Sequence, residues 1–221
     1  MLRVWAAGLC ASVLFLLAGP VSADLQNGHF TEGVDGLDGW DATPFVLEGQ
    51  ATQQVGDYNP YGTNLPHVLR MDAWNDPGDT WFEASTSQYI VTPDENGRFV
   101  PAGTTALSFY GAGDPSIPTG ASWPLISVSV TYVDTGGNPQ TDFYDITEGD
   151  SAWRLRTLNL LSPLDPYEIV TVQMSLSGDS IPADETLTAV GYFDDFKFVP
   201  EPMTMTALGL GAVLGLLRRR R

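Results

Sequence analysis

The chain has 221 residues, with 27 Asp and Glu against 10 Lys and Arg, and a formal net charge of −17. So large an excess of carboxylates repels phosphate and argues against nucleic acid as a partner. It leaves cations, neutral glycans or basic surfaces as counterparts, or simply solubility in a saline medium, where carboxylates are screened and hydrated.

In chain order, Arg3 opens a positively charged start, residues 4–17 are almost unbroken apolar sequence, and Gly19 and Pro20 break the run. Val21, Ser22 and Ala23 then supply small residues at a cleavage position, which predicts a secretory signal peptide over 1–23 cut after Ala23. The alternative is an uncleaved anchor. The single cysteine, Cys10, falls inside this leader. The exported chain therefore has no disulfide, cysteine nucleophile or thiolate metal site.

Residues 24–199 read as one domain with a sizeable core. All acids but Glu201 lie in it, and its only basic residues are Arg70, Arg98, Arg154, Arg156 and Lys197. The pattern is all-β: short runs rich in β-branched and aromatic residues, separated by turn residues. The runs are 44–46, 67–71, 80–83, 87–92, 105–110, 125–133, 152–158, 168–176 and 188–199. Residues 125–133 (LISVSVTYV) alternate apolar with Ser and Thr, the mark of a half-buried strand, and Asp134 to Asn138 reads as its hairpin turn. Residues 94–97 (DENG) make a second strong turn. No stretch of the domain sustains a helical period, so the expected architecture is a β-sandwich of the jelly-roll kind.

The chain closes on Pro200, Glu201 and Pro202, an apolar run 203–217, and Arg218, Arg219, Arg220 and Arg221. As a helix the run would span about 22 Å, short of the roughly 30 Å hydrocarbon core. Its three glycines weaken it further, and the arginines favour the cytoplasmic side. A motif, a single hydrophobic helix and a terminal arginine cluster, in that order, resemble the PEP-CTERM sorting signal of bacterial envelope proteins. The resemblance implies a membrane-anchored precursor, recognised at Pro200, Glu201 and Pro202 by an exosortase-type membrane protease. It also implies a location at the cell envelope, the outer surface or the extracellular matrix. A plain C-terminal anchor is the alternative.

The domain's two edges carry a second resemblance. It opens with Leu25-Gln26-Asn27-Gly28-His29-Phe30 and Gly36-Leu37-Asp38-Gly39-Trp40, and closes with Val190-Gly191-Tyr192-Phe193-Asp194-Asp195-Phe196-Lys197-Phe198. This pairing is similar to the galactose-binding-like jelly rolls, among them family 4/9 carbohydrate-binding modules. The resemblance implies that the first and last strands lie side by side, with Phe30 and Trp40 in the core and Phe193 and Phe196 flanking the acid pair. It also implies a structural calcium at the seam, with Asp194 as one ligand. Thr31 stands where the family has Glu, which leaves Glu32 as the opening acid. Calcium needs six to eight oxygens, and loop carbonyls can complete such a set.

Two further acid groups, Asp35/Asp38/Asp41 and Asp72/Asp76/Asp79, lack the spacing of an EF-hand loop and read as solvated loops or loose cation sites. Catalysis finds no motif: there is no Gly-x-Ser-x-Gly elbow and no His-Glu-x-x-His, and only His29 and His67 could serve as a histidine base. Binding finds more. Tyr58, Tyr61, Trp74, Trp81 and Trp123 fall in or beside Gly/Pro/Asn-rich segments, and residues 57–62 (DYNPYG) concentrate two aromatics, an amide and a carboxylate. Tyr58, Tyr61 and Trp74 are the glycan-stacking candidates, while Trp40 and Trp153 are assigned to the core. The expected function is a non-catalytic extracellular module associated with matrix polysaccharide. The alternatives are a structural or protein-binding surface component without a glycan site and, with least support, a secreted glycoside hydrolase.

Overall fold

The computed structural model describes residues 25, 27–62, 64–91, 103–114, 124–134, 136–147, 152–164 and 169–200. The expected signal peptide with its Ala23 cleavage point, the 94–97 turn, Trp123, and the tail from Glu201 and Pro202 through Arg221 lie outside the described residues. Among the described residues no helix is long and apolar enough to cross a membrane.

Ten strands form the fold: β1 (Phe45–Glu48), β2 (Gln50–Tyr58), β3 (Leu65–Trp74), β4 (Phe82–Val91), β5 (Thr104–Gly113), β6 (Leu125–Val133), β7 (Pro139–Asp145), β8 (Arg154–Leu164), β9 (Ile169–Gly178) and β10 (Thr188–Pro200). They build two five-stranded sheets, ordered β1-β4-β9-β6-β7 and β2-β3-β10-β5-β8, and every pairing is antiparallel. The architecture is a β-sandwich, as the alternation predicts. Period-two patterning drives it: Ile126, Val128, Val130 and Tyr132 of β6 are buried, as are Val170, Val172, Met174 and Leu176 of β9. The residues between them point the other way.

The opening segment lies across the end of the core, and each motif residue has a physical task there. The Asn27 amide donates to the carbonyls of Glu32 (3.2 Å) and Gly36 (2.7 Å), and its oxygen accepts from the N–H groups of Thr31 (2.6 Å) and Glu32 (2.8 Å). One side chain thus replaces a turn of regular structure. Gly28 passes so close to β10 that a Cβ there would sit 2.5 Å from the Phe196 carbonyl, and its own carbonyl accepts the Phe196 N–H at 3.1 Å. Phe30, Trp40, Phe109 and Phe196 then form an aromatic cluster with centroids 5.3–6.2 Å apart, close to the favoured spacing for tilted and stacked rings.

Several expected boundaries differ. The runs 80–83 and 87–92 are one strand, β4, because the small residues between them continue the alternation. β2 and β7 have no counterpart among the expected strands. Their sequences, QATQQVGDY and PQTDFYD, are polar, and both lie at sheet edges, where pairing on one side is enough. Trp153 does not enter the main core; it packs on a second cluster on the outer face of the β2-β3-β10-β5-β8 sheet.

Candidate functional site

The outward residues of the β1-β4-β9-β6-β7 sheet line up in register across the strands. One row runs Phe45, Ser85, Ser175, Ser127, Asp145, and the next runs Ser87, Gln173, Ser129, Phe143. A third runs Tyr89, Thr171, Thr131, Thr141, with the Thr131 and Thr141 hydroxyls 3.0 Å apart. The face is thus a field of hydroxyls with one amide and, at its β7 edge, the Asp145 carboxylate, and three aromatics stand out of it. Phe45 is 65% exposed, Tyr89 62% and Phe143 69%. From β1 to β7 the face spans four interstrand steps, about 19 Å.

The segment before β1 raises a wall at one side. Asp41, Thr43, Pro44, Phe45, Val46, Ser85, Ser87 and Gln173 enclose an open groove of about 590 Å³. Asp41 is held as firmly as a strand residue. Its N–H donates to the Ser87 carbonyl (3.0 Å), its Oδ2 accepts the Ser87 N–H (2.9 Å) and hydroxyl (2.7 Å), and its carbonyl accepts from the Gln53 amide. The Asp145 carboxylate at the far end of the first row accepts the N–H (2.8 Å) and hydroxyl (2.6 Å) of Thr147. A groove of this kind, walled by an aromatic and floored by hydroxyls and an amide, suits a ligand that presents both apolar faces and many hydroxyl groups.

No family model matches the chain, and no curated protein matches it. Solved structures share its fold. A promiscuous carbohydrate-binding module of the β-sandwich superfamily is similar with a TM-score of 0.50 and 14% identity, over 83% of this chain and 63% of its own. TmCBM61, solved with β-1,4-galactotriose, gives 0.43 and 16%, over 81% of this chain and 95% of its own. Tailspike protein 4 of bacteriophage CBA120, in its enzymatically active domain, gives 0.47 and 14%, over 80% and 21%. At these identities the likeness concerns the fold, and the first of the three carries it.

The glycan-stacking candidates Tyr58, Tyr61 and Trp74 lie on or against the opposite sheet, while Trp81 directly precedes β4. Tyr58 ends β2 and is half-buried against Tyr192, with centroids 5.8 Å apart; the Arg70 guanidinium lies 5.6 Å from its ring centre and 6.0 Å from that of Tyr192. Arg70 is in turn gripped by both oxygens of Asp72 at 2.6 and 2.8 Å. Burial pushes the phenols of Tyr58 and Tyr192 up from their ordinary range. Tyr61 packs on the same cluster and its hydroxyl donates to the Gly113 carbonyl. Trp74 is half-buried at the end of β3, between Gln50 and Thr188. Tyr58, Tyr192, Arg70 and Asp72 thus satisfy one another. Phe45, Tyr89 and Phe143 were not singled out, although Tyr89 and Phe143 occupy polar-phase positions in strands, a signal alternation could have given.

At the seam, Asp194 and Asp195 lie where β10 bulges, with Asp195 at φ 56°. Burial pushes the Asp194 carboxyl up to about 6. His29 approaches both acids, at 3.9 Å from Asp194 and 3.2 Å from Asp195, and Lys197 pairs with Asp195. Of the two acids expected as calcium ligands, Glu32 is exposed and Asp194 is half-buried in the bulge. Lys197 and the His29 imidazole stand beside the acid pair, and the Glu32 and Gly36 carbonyls accept from the Asn27 amide. Among the described residues no group of three or more His, Cys, Asp or Glu could hold a metal ion. Pro200, assigned by resemblance to the sorting motif, is the last residue of β10 and pairs with Thr104.

Proposed function

We propose that the chain is an exported protein, sorted to the cell envelope through its C-terminal signal and processed there by an exosortase-type protease. In this reading its β-sandwich is a non-catalytic polysaccharide-binding module. The observation that carries the binding role is the groove beside Phe45, which continues into rows of serine, threonine and glutamine with Tyr89 and Phe143 exposed among them. Rings of this kind stack on the apolar faces of sugars, and hydroxyls and amides exchange hydrogen bonds with sugar hydroxyls. The β-sandwich carbohydrate-binding module of similar fold supports the same reading.

The carboxylates support a binding role over hydrolysis. A glycosidase pair needs one carboxyl with a raised pKa, set across the bond from another. Asp41 and Asp145 on the hydroxyl face accept hydrogen bonds from Ser87 and Thr147. Among the described residues, the carboxyl with a raised value, Asp194, lies on the other sheet. Affinity electrophoresis of the protein through gels containing a panel of polysaccharides tests the proposal. Retardation by one glycan class, lost in Phe45→Ala, is the expected result. Equal mobility in every gel would move the weight to a structural or protein-binding role.

A further inference from the structure

The two sheets differ sharply in charge. Among the described residues every Lys and Arg, namely Arg70, Arg154, Arg156 and Lys197, stands on β3, β8 or β10, all in the β2-β3-β10-β5-β8 sheet. The strands of the other sheet carry none, and neither does the 41–44 wall of the groove. That sheet and its wall instead present Asp41, Glu48, Glu83 and Asp145. Among the described residues, a sugar carboxylate or sulfate entering the groove would meet no cation, and it would face the Asp41 carboxylate.

Asp41 is also presented in a defined way. Both of its side-chain hydrogen bonds converge on Oδ2, and its N–H and carbonyl are tied to Ser87 and Gln53. Oδ1 accepts no hydrogen bond from the described residues, and the residue lines the groove next to Phe45. A sugar stacked on Phe45 would therefore have a fixed carboxylate oxygen at its edge.

Resting on the glycan-binding reading above, we propose that this groove takes a polysaccharide of amine-bearing sugars, with an ammonium group set on Asp41. An ammonium donates to the carboxylate as a hydroxyl would and adds charge attraction. The net charge of −17 further raises the local concentration of a polycation. Because the contact is exposed, each ion pair contributes little alone, and repeated sugars along a polymer supply the avidity.

The test uses the full chain and three probes: a glucosamine hexamer, its fully N-acetylated form, and a uronic-acid hexamer, each titrated by calorimetry. The expected result is tightest binding of the free-amine form, weaker binding of the N-acetylated form and none of the uronic acid. Asp41→Asn keeps the acceptor for Ser87 and removes the charge. It should lower affinity for the free amine about three- to fivefold, an exposed-pair effect, and lower that for the N-acetylated form by clearly less, so that the preference for the free amine shrinks. Asp184→Asn removes the same charge from an exposed position off this face and should change neither. If Asp184→Asn matches Asp41→Asn, bulk charge explains the preference and the inference is overturned. If the N-acetylated form binds as tightly as the free amine and depends on Phe45, the inference fails while the glycan-binding reading stands. If no probe binds and Phe45→Ala changes nothing, both fail.

Discussion

The two outer faces of the sandwich use aromatic residues in opposite ways. On the β2-β3-β10-β5-β8 sheet, Tyr58, Tyr192, Arg70 and Asp72 satisfy one another, Tyr110 stacks on Trp153 at 5.7 Å, and Tyr192 is only 5% exposed. On the β1-β4-β9-β6-β7 sheet, Phe45, Tyr89 and Phe143 are each more than half exposed and stand over Ser and Thr. A ring already packed on a neighbour contributes to stability. A ring held up by small polar residues has its face free for a ligand. Residue type is the same in both places; the neighbours decide the role.

Substitutions can break that contrast, and the largest expected effect is on the covered face. Tyr192→Ala should cost about 3 kcal/mol of stability in denaturant unfolding, the usual loss for a buried aromatic. It should leave glycan retention of the folded fraction unchanged. Next is Asn27→Ala, which removes the partner of two N–H donors and of the Gly36 carbonyl in the opening segment and should cost about 2 kcal/mol. Because that segment leads to Asp41, this variant should also weaken retention, which ties the groove to the seam.

A smaller effect concerns pH. The Asp194 carboxyl, on the outer side of β10, is pushed up to about 6 in the folded state, against an ordinary value of 3.8. Between those values the folded state binds more protons than the unfolded one, so stability falls as pH rises through the window and levels off above it. Asp194→Asn should flatten that slope in melting temperatures taken from pH 4 to pH 7. The smallest stability effect is expected on the open face: Tyr89→Ser and Phe143→Ser should each stay within about 0.5 kcal/mol of the parent while weakening glycan retention. Loss of folding in either would show that the open face is part of the packing.

Much of the fold was legible because alternation is a direct physical record of burial. Residues 125–133 form β6 with the expected bounds, and Asp134 closes its turn by accepting from the N–H groups of Gly136 and Asn138 at 2.9 Å. That the opening motif meets the closing one was legible too, through Gly28 and Asn27, but the opening segment forms no strand and the first strand, β1, lies in the other sheet from β10. The site was less legible. Tyr58, Tyr61 and Trp74 drew attention through their Gly- and Pro-rich surroundings, yet Tyr58 and Trp74 are strand residues, and which face they share depends on pairing between segments far apart in sequence. The serine rows of the open face are likewise a product of register, which joins residues as distant as Phe45 and Asp145 and leaves no mark in local sequence.

The most direct measurement is a chemical-shift titration of the isotope-labelled protein with an oligosaccharide of whichever glycan class retards it. The account predicts shifts confined to the 41–46 wall and to the outward residues of β4, β9, β6 and β7, with Phe45, Ser87 and Gln173 among the largest. Shifts centred instead on Tyr58, Arg70 and Tyr192 would contradict it.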